Sequence, residues 1–157
     1  MTHDELVQSA ERWLRTTKGC GVVLSERRCG GSHEIPDAIG WKSSYWSTLV
    51  ECKTSRADFL RDMKKFFRRE ANYGMGQRRY YLTPTGLVKP EELPPGWGLL
   101  EVRRSRIKVV VEASETGFDF ERCRYELALL YSFARRTQLG VEPTVGCLVQ
   151  ASLTGGA

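Results

Sequence analysis

Glu34-Ile35-Pro36-Asp37-Ala38-Ile39-Gly40-Trp41 is followed, after a short polar connection, by Ser47-Thr48-Leu49-Val50-Glu51-Cys52-Lys53. The second segment predicts a strand, because Leu49 and Val50 are apolar and Thr48 is β-branched. Side chains alternate faces along a strand, so Glu51 and Lys53 share one side and Cys52 takes the other. With the Asp37 segment as its antiparallel neighbour, the Asp37 carboxylate comes to lie beside that of Glu51. Two adjacent carboxylates repel unless something neutralises them. A divalent cation such as Mg²⁺ does so. It prefers oxygen ligands, takes one or two carboxylates, and completes its shell with water and phosphate oxygens. Lys53 beside such an ion can orient a water or stabilise charge on a phosphate under attack.

Working outward, the first pattern is helical over residues 4–17. Asp4 is the expected N-cap, and Leu6, Val7, Ala10, Trp13 and Leu14 recur at helical spacing. Glu11 lies at the margin of that apolar face. Cys20 to Glu26 reads as a strand, with Glu26 at its end, and Arg27 to His33 as a glycine-containing loop. Cys20, Cys29 and His33 lack a fourth ligand and match no usual zinc spacing.

Trp41, Tyr45 and Trp46 are expected to cap the sheet as buried aromatics in preference to stacking on bases. After Lys53 a helix is expected from Arg56 to Glu70, capped by Ser55, with Asp58 in its first turn. Phe59, Leu60, Met63, Phe66 and Phe67 form its apolar side. Arg61, Lys64, Lys65, Arg68 and Arg69 form the other side, diluted only by Asp62 and Glu70. With Arg56 before them and Arg78 and Arg79 after, these cations are expected to track phosphates.

Strands are expected over Gln77–Pro84, Leu99–Val102 and Ile107–Glu112, the last two joined by the basic turn Arg103-Arg104-Ser105-Arg106. Between them, prolines and glycines in 85–98 allow no more than one helical turn near Lys89–Leu93. A final helix is expected over 118–137, capped by Asp119, with Cys123, Leu127, Leu130 and Ala134 on its apolar stripe, widened by Leu129 and Phe133. Residues 141–157 are expected to be a partly disordered tail.

The 157 residues suit one domain with a real core. Apolar content of 41% and charged content of 27% are ordinary for a globular protein, and no apolar run is long enough for a bilayer, so no membrane association is expected. The polar, acidic start Met1-Thr2-His3-Asp4-Glu5 does not read as a signal peptide. Five cysteines, an odd number without repeated Cys-x-x-Cys spacing, suit reduced thiols and a cytoplasmic location, in a bacterial cell or a phage-infected host. The net charge of +5 permits a polyanionic partner.

Pro36-Asp37 followed by Glu51-Cys52-Lys53 resembles the PD-(D/E)xK nuclease superfamily of restriction endonucleases, junction resolvases and phage exonucleases. Three features of context belong to the resemblance: a helix before the motif, a hairpin bringing Asp beside Glu-x-Lys, and a basic helix after it. The run Glu51 to Phe59 is similar to small bacterial and phage members linked to DNA repair. The likeness covers roughly Glu11 to Tyr81.

The resemblance implies a single α/β domain over 1–140, with a restriction-endonuclease-like core whose central mixed sheet of four to five strands is flanked by helices. It implies a Mg²⁺- or Mn²⁺-dependent deoxyribonuclease acting in repair, recombination or phage DNA processing and leaving a 5′-phosphate. Asp37 and Glu51 would hold the metal with the backbone carbonyl of Cys52, Glu11 or Glu26 would add a carboxylate, and Lys53 would position the attacking water. DNA is the expected partner, with RNA left open. A homodimer would supply the two sites needed to cut both strands at once. The alternatives are a non-cleaving DNA-binding module and an accessory subunit of a DNA-processing complex.

Overall fold

The computed structural model describes residues 1–30, 32–43, 45–69, 74–117 and 119–140. The expected tail 141–157, Glu70 and the side chain of Arg69 lie outside the described residues. Among the described residues four helices, α1 (His3–Thr16), α2 (Arg56–Asp62), α3 (Phe66–Arg69) and α4 (Phe120–Gln138), accompany one sheet. Its strands are β1 (Val22–Ser25), β2 (Ala38–Trp41), β3 (Ser47–Cys52), β4 (Arg78–Pro84), β5 (Gly98–Arg103) and β6 (Arg106–Val111). They lie side by side in chain order, six strands and not four or five. The β3–β4 and β4–β5 pairs are parallel and the other three antiparallel. The outermost strand, β6, returns from β5 through Arg104 and Ser105, both at positive φ (47° and 65°).

Local chemistry explains most of the element ends. Thr2, not Asp4, caps α1: its hydroxyl accepts from the Glu5 N–H while the Glu5 carboxylate accepts from the Thr2 N–H, a reciprocal capping box. Asp4 sits in the first turn, where it favours the helix dipole. Ser55 caps α2 by accepting from the Asp58 N–H at 3.2 Å. Asp119 caps α4 in the same way through the Arg122 N–H, as expected. The irregular 85–98 stretch carries a single 3₁₀ turn, Pro90–Glu92.

The helix expected from Arg56 to Glu70 is instead two short pieces. Tight turns break it, with the Lys64 N–H bonded to the Arg61 carbonyl and the Lys65 N–H to that of Asp62. The break turns Arg68 inward, and it leaves Leu60 and Phe66 exposed while Phe59 and Phe67 are buried. No helix among the described residues is long and apolar enough to cross a membrane.

The sheet has two buried faces. Leu6, Val7, Ala10, Trp13 and Leu14 of α1 pack on Val23, Ala38, Val50, Cys52, Tyr80 and Leu82. Residues of opposite parity, including Ile39, Trp41, Leu49, Tyr81 and Leu99, face Phe59, Trp97 and Leu129. Trp41 is buried there as expected, whereas Tyr45 and Trp46 are exposed.

α4 is rotated from its expected stripe. Leu129 is buried and Leu130 and Phe133 pack on the core as expected, but Leu127 and Ala134 are exposed and Arg122 and Glu126 take buried positions. A polar anchor causes this. The Glu126 carboxylate accepts from Trp41 Nε1 (2.9 Å), Ser47 Oγ (2.8 Å) and the Gly76 N–H (2.9 Å). A buried carboxylate with three donors outweighs a better hydrophobic stripe.

Gly76 joins these parts. Its φ is +86°, and a Cβ there would stand 2.4 Å from Leu49 Cβ. Both the conformation and the clash exclude a side chain. Gly76→Ala is therefore expected to lower stability by about 2–4 kcal/mol, read as a lower urea midpoint by circular dichroism.

Candidate active site

The β2–β3 register decides which side chains meet. Ala38 pairs with Val50, both facing α1. Their neighbours Asp37 and Glu51 therefore face the other side, where Lys53 also projects by alternation. Asp37 Oδ2 accepts from the Cys52 N–H at 2.7 Å, which pins the carboxylate against the end of β3. Lys53 Nζ lies 3.2 Å from Glu51 Oε2, 3.6 Å from Asp37 Oδ2 and 3.7 Å from Asp62 Oδ1. The three residues of the sequence motif are thus brought together at one end of the sheet.

The site continues inward through Glu34, which the sequence sets two or three positions from Asp37, and through Asp62, Arg68 and Tyr81, which it does not place there. Arg68, 4% exposed, bonds Asp62 Oδ2 through Nε (2.8 Å), Glu51 Oε2 through Nη2 (2.9 Å) and Glu34 Oε1 through Nη1. Glu34 Oε2 accepts from the Met75 N–H at 2.5 Å. The Tyr81 hydroxyl donates to Asp62 Oδ2 at 2.8 Å. Asp62 could be noticed in sequence only as an interruption of a basic run. The signal for a buried cation was weaker still, since Arg68 stands among four other basic residues.

Electrostatics divides the cluster into two parts. Burial disfavours the Asp62 anion, but Arg68 and Lys53 outweigh this and hold its carboxyl well below the usual range. Burial likewise opposes the Lys53 charge, yet Glu51, Asp37 and Asp62 raise its pKa, so it remains an ammonium ion. Asp37 goes the other way. Burial first, then the neighbouring Glu51 charge, push its carboxyl up to about 7 despite Lys53. Four carboxylates (Glu34, Asp37, Glu51 and Asp62) face two buried cations, Lys53 and Arg68. Arg68 contacts Glu34, Glu51 and Asp62, and Lys53 contacts Asp37, Glu51 and Asp62; two cations thus serve four carboxylates, and burial raises the Glu34 carboxyl as it does that of Asp37. Glu51 Oε1 is buried and has no hydrogen-bond partner.

That orphaned oxygen beside a second, charge-starved carboxylate is the donor set a hard divalent cation takes. Among the described residues no three His, Cys, Asp or Glu side chains are grouped to hold an ion by themselves. Asp37 and Glu51 would therefore be the side-chain ligands, and water or phosphate oxygens would supply much of the shell. The Cys52 N–H points toward Asp37, and in a strand the carbonyl of the same residue shares that edge.

Of the two further acidic residues expected here, Glu26 is linked to the site. His3 Nε2 lies 3.2 Å from Glu26 Oε1 and 3.7 Å from Asp37 Oδ1. His3 comes from the first turn of α1 and has no motif around it to mark it in the sequence. Glu11 accepts a hydrogen bond from Ser25 Oγ, at the end of β1.

The basic residues sort differently from expectation. Arg68 is committed to the carboxylate cluster and Arg79 is buried, donating to the Gly76 and Gly74 carbonyls. Neither is a surface phosphate contact. Arg56 is exposed but held by Glu92, and Arg78 lies 3.4 Å from Glu115. Arg61, Lys64 and Lys65 are exposed, Lys65 reaching Asp62 Oδ1 at 2.7 Å.

No protein-family model matches the chain, and no curated protein matches it. Among solved structures, the chain is similar to the SPO1766 protein of unknown function from Silicibacter pomeroyi. The TM-score is 0.68 at 23% identity, over 96% of this chain and 98% of that one. The likeness is one of fold: an α/β domain with a six-stranded mixed sheet flanked by helices.

Two measurements check the electrostatics. Arg68→Ala would leave three buried carboxylates without their guanidinium and is expected to cost about 3–5 kcal/mol in urea denaturation. Lys64→Ala, on the surface, is expected to change stability by less than about 0.5 kcal/mol. The raised Asp37 pKa means that the folded state holds a proton which the unfolded chain has released above pH 4. The associated stability is present below the unfolded pKa and is lost as pH rises through about 7. In metal-free buffer, Asp37→Asn is therefore expected to gain on wild type between pH 4 and pH 8, by on the order of 3 kcal/mol.

Proposed function

We propose that the protein is a Mg²⁺- or Mn²⁺-dependent nuclease that hydrolyses phosphodiester bonds in DNA. The observation that carries this is the convergence of Asp37, Glu51 and Lys53, with Glu51 Oε1 buried and unpartnered beside a carboxylate that its neighbour destabilises. The resemblance of Pro36-Asp37 and Glu51-Cys52-Lys53 to the PD-(D/E)xK motif supports the same chemistry and a restriction-endonuclease-like core. A divalent ion held by Asp37 and Glu51 would supply positive charge for the phosphate oxygens and an acidified water.

The protein's own groups have distinct parts. Lys53, fixed as an ammonium ion, cannot take a proton from water. It orients the water by donating to its oxygen and offsets charge on the phosphate under attack. Asp37 is anchored by the Cys52 N–H, so its free oxygen keeps one position. His3, within reach of both Asp37 and Glu26, is placed to position those carboxylates. Arg68, itself paired with Glu34, holds Glu51 and Asp62 from within. Arg61, Lys64 and Lys65 supply the exposed positive charge for the DNA backbone, a smaller set than the sequence suggested.

The test is cleavage of single-stranded, duplex and branched DNA with Mg²⁺, Mn²⁺ or EDTA. Metal-dependent cutting by wild type is expected, with losses of at least about 100-fold in folded Asp37→Asn and Lys53→Ala. Binding is read separately from activity: at pH 8, Mg²⁺ is expected to raise the melting temperature of wild type and not that of Asp37→Asn. Metal-independent DNA binding unchanged in both variants, with no cutting, would instead identify a non-cleaving DNA-binding module.

A further inference from the structure

A second concavity lies at the other end of the sheet and on its other face. Thr48 and Arg78 are register partners at the starts of the parallel strands β3 and β4. They share parity with Val50 and Tyr80, which face α1. Glu51 and Lys53 are at the opposite end of β3 with the opposite parity. Between the end of α1 and the β2–β3 connection is a cavity of about 410 Å³ whose lining includes Lys18, Lys42, Ser43, Trp46, Thr48 and Arg78. That volume is in the range of small-ligand sites.

The lining has a defined chemistry. Among the described residues it contributes three cations and no carboxylate. Two of these cations are partly engaged: Lys18 lies 3.8 Å from Glu112 and donates to the Tyr80 hydroxyl, and Arg78 Nη2 donates to Glu115 at 3.4 Å. Lys42 forms no ion pair among the described residues. Arg78 Nε is buried and has no hydrogen-bond partner, an oriented donor without an acceptor. Ser43 and Thr48 add hydroxyls. Trp46 is 39% exposed, with the Arg78 guanidinium 5.9 Å from its ring. An aromatic plane beside converging cations and hydroxyls is what a base joined to a phosphate requires.

We propose that this cavity binds one nucleoside monophosphate unit, its phosphate held by Lys18, Lys42 and Arg78 and its base stacked on Trp46. A free mononucleotide and one residue of a single strand both supply this unit, and the chemistry recognised is the same. The site is separate from the acidic cluster, and its occupancy needs neither metal nor cleavage.

Calorimetric titration of the full chain in EDTA tests this with 2′-deoxyadenosine monophosphate, 2′-deoxyadenosine, inorganic phosphate and a short oligothymidylate. Lys42→Glu and Trp46→Ala, both at exposed positions, serve as variants, and Asp37→Asn as the control for the acidic site. The expected result is binding of the mononucleotide well above that of the nucleoside, weakened about tenfold in either pocket variant and unchanged in Asp37→Asn. Binding of the oligonucleotide alone, with the same sensitivity, would support the site and identify a single strand as its source. Phosphate-like binding lost in Lys42→Glu but kept in Trp46→Ala would overturn the nucleotide assignment. No binding of any probe, or equal binding by all four proteins, would overturn the site itself. Loss of nuclease activity has no bearing on these outcomes, because none of them reads cleavage.

Discussion

The guanidinium of Arg68 is the contact on which the acidic end of this molecule depends. It reaches Glu34, Glu51 and Asp62 at once, from a position almost closed to solvent. Without it, three carboxylates would be buried within one small volume, and their desolvation and mutual repulsion would oppose folding. A planar, permanently charged fork suits the task better than an ammonium ion, because it presents several donors in fixed directions. The break between α2 and α3 is the backbone's part in this. A continuous helix would have carried Arg68 along the exposed basic side, and the tight turns at 63–65 bring it under the sheet instead.

The compensation is incomplete in a particular place. Arg68 and Lys53 share four carboxylates, and Asp37, which Arg68 does not reach, is the one whose carboxyl burial and the Glu51 charge push up. Asp37 is pinned by a backbone N–H, and Glu51 keeps one oxygen without a donor. A folded protein tolerates such a frustrated pair when a ligand's binding energy can relieve it. The same cluster therefore has a structural interior and a reactive rim, and Lys53 belongs to both.

Glu126 has a comparable organising role on the neighbouring part of that face. By accepting from Trp41, Ser47 and Gly76 it ties α4 to β2, to β3 and to the approach to β4. This anchor sets the rotation of α4 and leaves Phe120, Leu127 and Tyr131 in solvent. Three buried donors with one acceptor constrain a helix more sharply than the spacing of its leucines does.

Much of this was legible along the chain, because it depends on neighbours in sequence. Alternation placed Glu51 and Lys53 on one side of a strand, and the short connection after Trp41 brought Asp37 beside them. Ser55 and Asp119 declared their caps through a hydroxyl or carboxylate just before a helical pattern. The cap of α1 is ambiguous in sequence, since Thr2 and Asp4 both suit the role and only the reciprocal bond with Glu5 decides for Thr2. The basic run after Lys53 was read by composition, and composition cannot tell a solvated arginine from one folded into a nest of carboxylates. His3 and Arg68 join the site through contacts spanning 34 residues of chain, to Asp37 and Glu34, and Asp62 joins it at a local break, with no periodic signal. What the sequence determined alone was the strand carrying Glu51 and Lys53 and the carboxylate opposite it, because two-residue alternation and a tight connection are local constraints. What only the tertiary structure decided was which charges are buried together and which face water, because desolvation and ion pairing depend on distances in space that the order of residues does not contain.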